Sequence, residues 1–326
     1  MEKHKPQTEP GVLKKFAQFL GTEVKSWRVE IPEKFGKGYC VGFVFNEHIR
    51  MLILNYELSV NVVVENPDIN AIGRTILFRF QDIFPSTETL LGEKPLKSTP
   101  SVLIATSSLN SDVVIPIHTN TATINIEVDA NYLNGLFDLR GKSPVLQSLL
   151  QNSQPLLFEQ VIFPSLQKIV DEIVSESVDE TFKLFFLRVK AEELVCRLLM
   201  ELEKRDETHL YDLNMQDIQT IYKIKDQMLE HLGTPPVIKE LAISASMSPT
   251  KLKRLFKQIF GNSLFNYYQE FRMKEAALLL KNEMLSVSDV GYQLGFTNLS
   301  HFSKVFKEHI GMKPKQYSRS ENNKRH

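Results

Sequence analysis

The chain has little cysteine and glycine and no long apolar run, and each shortage excludes a class of protein. Among its 326 residues only Cys40 and Cys196 are cysteines, too few for a disulfide framework or a cysteine-rich zinc site, so we expect two buried, free thiols. The most apolar stretch, residues 41–54, is broken by polar residues, so no membrane span is predicted. The first six residues are polar and lack the apolar core of a secretory signal, so we expect a cytoplasmic protein.

Motifs for catalysis and metal binding are also missing. The 14 glycines are scattered and form no phosphate-binding loop, and no serine lies in a Gly-x-Ser-x-Gly elbow. The pair Glu47-His48 lacks the second histidine of a zinc-protease helix, and His118 stands alone in a predicted strand. We therefore expect no enzymatic activity, no metal and no cofactor.

The net charge of zero is the sum of two unlike parts. The length favours two domains. Residues 1–214 hold 22 Lys and Arg against 29 Asp and Glu, a balance of −7, whereas residues 215–326 hold 17 against 10, a balance of +7. This asymmetry indicates that only the second part meets a polyanion such as double-stranded DNA.

Residues 25–129 alternate with a period close to two and are punctuated by turn residues. Many short strands at this spacing predict an antiparallel sandwich or barrel, and a small cupin-like barrel can enclose a ligand. We assign residues 1–130 to a β-rich sensor domain of an α+β protein. The predicted strands are residues 26–31, 38–45, 50–58, 60–65, 75–80, 101–106, 113–118 and 122–128.

The pattern becomes helical after residue 131. Residues 149–177 and 179–205 carry apolar side chains at three- and four-residue spacing, which predicts two amphipathic helices. These helices either cover the barrel or pair with their copies in a homodimer, and the pattern alone leaves both open. We assign residues 131–214 to a helical dimerisation and linker segment, with the linker itself at the polar residues 207–214.

An internal repeat marks the third segment, residues 215–326. Residues 254–261 align with residues 304–311 at an offset of 50, whereas residues 238–242 align with residues 287–291 at an offset of 49. Each copy is predicted to be helix, tight turn, helix, with one extra residue in the second turn. Residues 265–281 lack proline and glycine and are predicted to form a helix that spaces the two copies.

Each copy has the features of a helix-turn-helix unit. Ala242 and Gly291 are small where the first helix approaches the second, and Gly261 and Gly311 end the second helices. Ser248 before Pro249 predicts a helix cap, and Asn298 or Thr297 is the matching cap. The outward residues are Thr250, Lys251, Lys253, Arg254 and Lys257, then Ser300, His301, Ser303, Lys304 and Lys307.

This arrangement predicts readout of DNA in two major grooves about 34 Å apart. Arg254 suits a bidentate contact with guanine, Lys253 is a second donor, and the flanking lysines suit phosphates. His301 fits either a base contact or an ordinary surface histidine.

The C-terminal hundred residues resemble the DNA-binding domain of the AraC/XylS family of bacterial transcription regulators. The resemblance implies a fold of two helix-turn-helix units joined by a long helix, with RNA polymerase as a partner. Lys304 stands where the family usually has arginine, Gly291 where it has alanine, and Lys313 where it has threonine. The matching positions are Ser248-Pro-x-x-Leu-x-Arg-Leu-Phe256, Gly261, Tyr267, Arg272-x-x-x-Ala276, Leu279-Leu280, Gly295-Phe296, residues 301–306, Gly311 and Pro314-x-x-Tyr317. The implied base-reading residues are Thr250, Lys253 and Arg254, then Leu299, Ser300, His301 and Lys304.

Residues 155–202 are similar to the helical part of a subgroup that includes the pyochelin-receptor regulator. The shared residues are Pro155-Leu-x-Phe-Glu159 and Lys183-x-x-x-Leu187-x-x-Lys190-x-x-Glu193-Leu194. This similarity implies an N-terminal sensor domain and admits a small molecule, including an iron siderophore, as effector.

The sequence therefore predicts a cytoplasmic, effector-responsive transcription regulator that binds DNA as a homodimer, and it does not decide between an activator and a repressor. The predicted DNA-contacting set comprises the cap residues Ser248 and Asn298 together with the outward and family-implied positions: Thr250, Lys251, Lys253, Arg254, Lys257, Leu299, Ser300, His301, Lys304 and Lys307. Two alternatives stay open: a barrel enzyme with a regulatory helical module, and a DNA binder without an effector.

Overall fold

A computed structural model describes residues 11–59, 74–84, 100–110, 120–138, 140–281 and 285–322. The chain divides into two compact units, Met1–Met215 and Gln216–His326, each of which is considered separately. None of the helices in the described ranges is both long and apolar enough to cross a membrane.

The N-terminal unit is built on one antiparallel sheet with the strand order β1-β2-β3-β6-β4-β5-β7. The prediction of an antiparallel sheet is confirmed. Within the described ranges the sheet is open, and the predicted strands 60–65 and 113–118, with His118, lie outside those ranges. The elements are α1 (Gly11–Leu20), β1 (Arg28–Glu30), β2 (Gly36–Val44), β3 (Ile49–Leu58), β4 (Thr75–Gln81), β5 (Ser101–Thr106), α2 (Ser107–Asn110), β6 (Asn120–Asp129), α3 (Ala130–Leu136), α4 (Pro144–Gln151), β7 (Leu157–Val161), α5 (Pro164–Ser175) and α6 (Glu180–Glu203).

The predicted helix over residues 149–177 is wrong, because this segment holds the end of α4, the edge strand β7 and α5. Asn152 ends α4 in the left-handed conformation at φ 46°, and Pro164 begins α5. Leu157–Val161 pairs with β5, so sheet pairing overrides the helical spacing of its apolar residues. The second predicted helix, over residues 179–205, is confirmed as α6.

The two faces of the sheet have different chemistry. One face buries aromatic and aliphatic side chains such as Phe78, Phe80, Ile104, Ile126 and Phe158 against helices α4, α5 and α6. Over strands β1 to β3 the other face packs against Leu13, Phe16 and Leu20 of α1. Since strand residues alternate between faces, each face can be assigned from the register.

The two thiols lie in different environments. Cys40 is buried beneath α1, and burial raises the pKa of its thiol to about 12. Cys196 is exposed on α6, so the expectation of two buried thiols is wrong for this residue. Cys196 lies on a side of α6 that the sheet does not cover, whereas the neighbouring Val195 and Leu198 face the core.

The C-terminal unit is entirely helical in its described residues. The predicted spacer over residues 265–281 is confirmed as α10, and both repeat copies form two helices with a short turn between them. The elements are α7 (Met215–Glu230), α8 (Ile238–Ser244), α9 (Pro249–Phe260), α10 (Leu264–Leu279), α11 (Val287–Gln293), α12 (Leu299–Ile310) and α13 (Pro314–Asn322).

Helix α10 is tied to the second repeat copy by the buried guanidinium of Arg272. Its Nε donates to the carbonyl oxygen of Leu294 at 2.8 Å, Nη2 donates to the same oxygen, and Nη1 donates to Gln269 Oε1 at 3.2 Å. The Arg272 guanidinium carbon also lies 3.8 Å from the centre of the Phe296 ring. Burial lowers the pKa of Arg272, but an arginine in a protein stays charged, so these acceptors hold a full positive charge in place.

Replacing Arg272 with Met should destabilise the C-terminal unit by about 2–3 kcal/mol, because it leaves the buried carbonyl of Leu294 without its donor. Lys274→Met on the same helix is the control. It removes the partly exposed ion pair with Glu270 and the contact of the ammonium with the Phe271 ring, and it should cost less than about 1 kcal/mol. Denaturant unfolding of the full chain measures both values, and equal losses would show that the Arg272 contacts contribute nothing beyond a surface pair.

Candidate nucleic-acid interface

The two repeat copies have matching turns at matching positions. In the first copy Met247 N donates to Ala242 O at 3.0 Å, and in the second Phe296 N donates to Gly291 O at 2.9 Å. The residue before each donor has a positive φ, 51° at Ser246 and 75° at Gly295. The internal repeat therefore corresponds to a repeated backbone geometry.

Glycine is required at the second turn by space as well as by conformation. A Cβ on Gly295 would lie 1.9 Å from the carbonyl oxygen of Gly233, and one on Gly291 would lie 2.7 Å from Leu299 Cδ2. The close approach predicted for Gly291 is thus confirmed, and the buried Ala242 has the same place in the first copy.

Side-chain caps begin both second helices. The hydroxyl of Ser248 accepts from Lys251 N at 3.2 Å, and Pro249 follows at the first helical position. Asn298 Oδ1 accepts from Ser300 N at 2.9 Å and from His301 N at 3.1 Å, which identifies Asn298 as the cap of the second copy. These bonds fix where α9 and α12 begin.

The inward faces of α9 and α12 form the core of the unit, and this leaves the polar residues outward. Leu252, Leu255, Phe256 and Ile259 are buried in α9, as are Phe302, Val305 and Phe306 in α12. The predicted DNA-contacting residues then divide by exposure. Those that are exposed are Ser248, Thr250, Lys253, Arg254, Asn298, Ser300, His301, Lys304 and Lys307, whereas Lys251, Lys257 and Leu299 are half-buried.

Lys251 has an acidic partner that the sequence pattern did not indicate. Its Nζ lies 2.8 Å from Oδ1 of Asp217, which comes from α7, 34 residues earlier in the chain. Lys304 faces Glu308 on its own helix at 4.0 Å, and both of those side chains are largely exposed. The ion pair with Asp217 reduces the charge that Lys251 offers to a polyanion, whereas the exposed Lys304 pair is weak and easily exchanged.

Helix α11, the first helix of the second copy, begins with two reciprocal capping hydrogen bonds. Ser286 N donates to Asp289 Oδ2 at 2.9 Å while Asp289 N donates to the Ser286 hydroxyl at 3.1 Å. These hydrogen bonds hold the pKa of Asp289 below its usual range. The acid is thus used in capping α11.

The described residues contain no group of three or more His, Cys, Asp or Glu side chains arranged to hold a metal ion. What the site offers is two short helices that begin at fixed caps and present hydroxyl, imidazole, ammonium and guanidinium groups to solvent. Such groups donate hydrogen bonds to base edges and phosphates.

Residues 241–320 match a family described as a helix-turn-helix domain. The transcriptional regulator GbdR of Pseudomonas aeruginosa is 32% identical over 107 residues, which are 33% of this chain and 28% of GbdR. The regulatory protein PchR of Pseudomonas aeruginosa is 34% identical over 75 residues, 23% of this chain and 25% of PchR. A crystal structure of a transcriptional regulator with an AraC-type DNA-binding domain from Chromobacterium violaceum is 26% identical, covers 33% of this chain and 96% of that chain, and has a TM-score of 0.31.

The matched part of this chain therefore spans about a quarter of the length of these two curated regulators. The match falls on both repeat copies and on the spacer helix between them. The C-terminal unit belongs to the AraC-type helix-turn-helix DNA-binding domains.

Proposed function

We propose that the chain is a sequence-specific, DNA-binding transcription regulator whose N-terminal unit senses an effector. The observation that carries this proposal is the duplicated helix-turn-helix geometry, with exposed Lys253, Arg254, Ser300, His301 and Lys304 on the two second helices. The regulator names of the matched relatives support it for the C-terminal unit.

The residues proposed to read bases lie in the first two turns of α9 and α12. Arg254 is exposed and carries a planar fork of donors that fits guanine O6 and N7, and Thr250 and Lys253 lie within the same turn. In α12, Ser300 and His301 follow the Asn298 cap. Lys304 has a single ammonium group, which cannot make the bidentate contact of an arginine guanidinium. The first copy is therefore the stronger candidate for bidentate readout.

Phosphate contacts fall on the later lysines. Lys257 lies in the last turn of α9 and Lys307 in the last turn of α12. Lys251 contributes less than its position suggests because Asp217 holds its ammonium. Contacts of this kind position the domain on DNA and carry no sequence information.

The N-terminal unit gives α6 a face that can pair with a second copy of the chain. Phe182, Phe185, Val189 and Met200 are exposed by 63%, 71%, 43% and 61%, and Cys196 is also exposed. We call these five residues the α6 stripe. Their spacing of three, four or seven residues places them on one side of the helix, as in a coiled-coil seam. A homodimer that buries this stripe would hold two DNA-binding units together.

An effector would act through the helices that cover the sheet. A ligand bound by the N-terminal unit shifts the packing of α4, α5 and α6 only if it binds one arrangement more tightly than another. That difference would change how the α6 stripe pairs, and so the spacing of two DNA-binding units. Activation through RNA polymerase in the cytoplasm is part of the same proposal and is supported by the family resemblance.

Replacing Arg254 with Ala should weaken binding to the cognate duplex by about 1–3 kcal/mol and relax selectivity at one base pair. Lys257→Ala should weaken binding to all duplexes about equally and lower the salt slope by about 1, because it removes a phosphate contact. Fluorescence anisotropy with cognate and scrambled duplexes at several salt concentrations separates the two effects. Equal losses on both duplexes for Arg254→Ala would rule out base readout by this residue.

Replacing Phe185 with Asp should convert the dimer to a monomer, because it places a charge within the apolar seam. Val174→Asp on α5 is the matched control, since Val174 is also an exposed apolar residue, at 41%, but lies off the α6 stripe. Sedimentation velocity of the full chain over a range of concentrations checks this. A wild-type chain that stays monomeric, or a Phe185→Asp variant that still dimerises, would contradict dimerisation through α6.

A further inference from the structure

The face of the sheet that packs against α1 also carries a charged cluster on strands β3, β6 and β4. The register pairs Arg50 of β3 with Glu127 of β6, and Asn125 of β6 with Arg79 of β4. Thr123 lies two residues from Asn125 and therefore points to the same face. We call Arg50, Arg79, Thr123, Asn125 and Glu127 the central polar cluster.

This cluster has one carboxylate for two guanidinium groups. Nε and Nη2 of Arg50 both lie 2.5 Å from Oε2 of Glu127, and the two side chains are 14% and 7% exposed. Among the described strand residues, the next acid on this face is Glu159 of β7, which lies two strands away from Arg79 and is separated from it by Leu103 of β5. The cluster therefore has an excess of one positive charge.

Two members of the cluster have incomplete hydrogen bonds, and the first is Arg79. Its Nε donates to Asn125 Oδ1 at 3.2 Å, whereas Nη2 is covered from solvent and has no hydrogen-bond partner among the described residues. The hydroxyl of Thr123 is likewise covered and without a partner in those ranges. Burial lowers the pKa of Arg79, and the nearby Glu127 and Tyr56 oppose that shift only in part.

An unmade hydrogen bond on a covered guanidinium is costly, so its persistence indicates an absent partner. A guanidinium stays charged in a protein, which means the partner has to accept hydrogen bonds and preferably carries negative charge. A carboxylate has two oxygens that match the donor geometry of arginine, and a monoanion matches the excess of one charge.

We propose that Arg79 and Thr123 bind the carboxylate of a small monocarboxylic acid on this face of the sheet. The half-buried Leu52 and Leu103 flank Asn125 and Arg79 in the same row across the strands, so the acid would have an apolar body that packs on them. The claim that this site binds the effector of the regulator rests on the proposed function. The claim that the site binds a carboxylate depends only on the residues of the central polar cluster.

The test compares carboxylates with their neutral amides on the full-length chain. Thermal unfolding is followed in acetate, butyrate or phenylacetate and in acetamide, butyramide or phenylacetamide, with chloride added to equal ionic strength. The carboxylates at about 20 mM should raise the Tm by on the order of 2–4 °C, and the amides by less than half as much. Phosphate at equal ionic strength should not raise the Tm more than acetate does.

Three variants assign the effect to the cluster. Arg79→Met and Thr123→Val should each reduce carboxylate affinity, the first by at least tenfold, measured by calorimetry. Arg140→Met is the control, because Arg140 is 91% exposed, paired with Asp138 and outside the cluster, and it should bind like the wild type. In chloride alone Arg79→Met should melt close to the wild type, because the lost hydrogen bond to Asn125 is offset by the removal of an incompletely bonded charge.

The inference is overturned if no carboxylate stabilises the wild type beyond its amide, which would mean that water alone satisfies Arg79. It is also overturned if Arg79→Met responds like the wild type, or if phosphate alone stabilises the chain. Binding of the cognate duplex is measured on the same preparations. If the chain binds DNA but carboxylates do not raise its Tm, only this inference is contradicted. If carboxylates raise the Tm but the chain does not bind DNA, only the proposed function is contradicted.

Discussion

The C-terminal unit depends on a buried positive charge that has no carboxylate partner among the described residues. Arg272 of α10 donates to the carbonyl of Leu294, at the end of α11, and lies over the ring of Phe296 in the following turn. Because the turn leads directly to the Asn298 cap, this contact fixes where α12 begins relative to the spacer helix. The position of α12 relative to the spacer helix α10 is therefore set by side-chain chemistry as well as by apolar packing.

Arg50, Arg79 and Arg272 satisfy their guanidinium groups in three different ways. Arg50 uses a carboxylate, Glu127, and Arg272 uses a backbone carbonyl and an aromatic ring. Arg79 uses an amide oxygen for one nitrogen and leaves another without a described partner. Of these three, only Arg79 has a covered nitrogen that still lacks a hydrogen-bond acceptor among the described residues. For this reason we infer a ligand at Arg79, whereas Arg50 and Arg272 have structural roles.

Local signals in the sequence predicted the helix-turn-helix units well. Ser248 with Pro249, Asn298, and the glycines 261 and 311 act through their own backbone neighbourhood, so their roles can be inferred from sequence. Contacts between distant residues could not be predicted: Asp217 meets Lys251 across 34 residues, and Arg272 meets Leu294 across 22. The same reason explains why β7 was predicted as part of a helix. Its pairing with β5 joins residues far apart in sequence, and this pairing overrides the helical spacing of its apolar residues.

Selection of bound duplexes from a random pool, with the full-length chain, tests the central claim most directly. The account predicts two enriched half-sites per DNA-binding unit, separated by about one helical turn, one changed by Arg254→Ala and the other by His301→Ala. Enrichment of a single half-site that neither substitution alters, or no enrichment at all, would contradict the claim that both second helices read DNA.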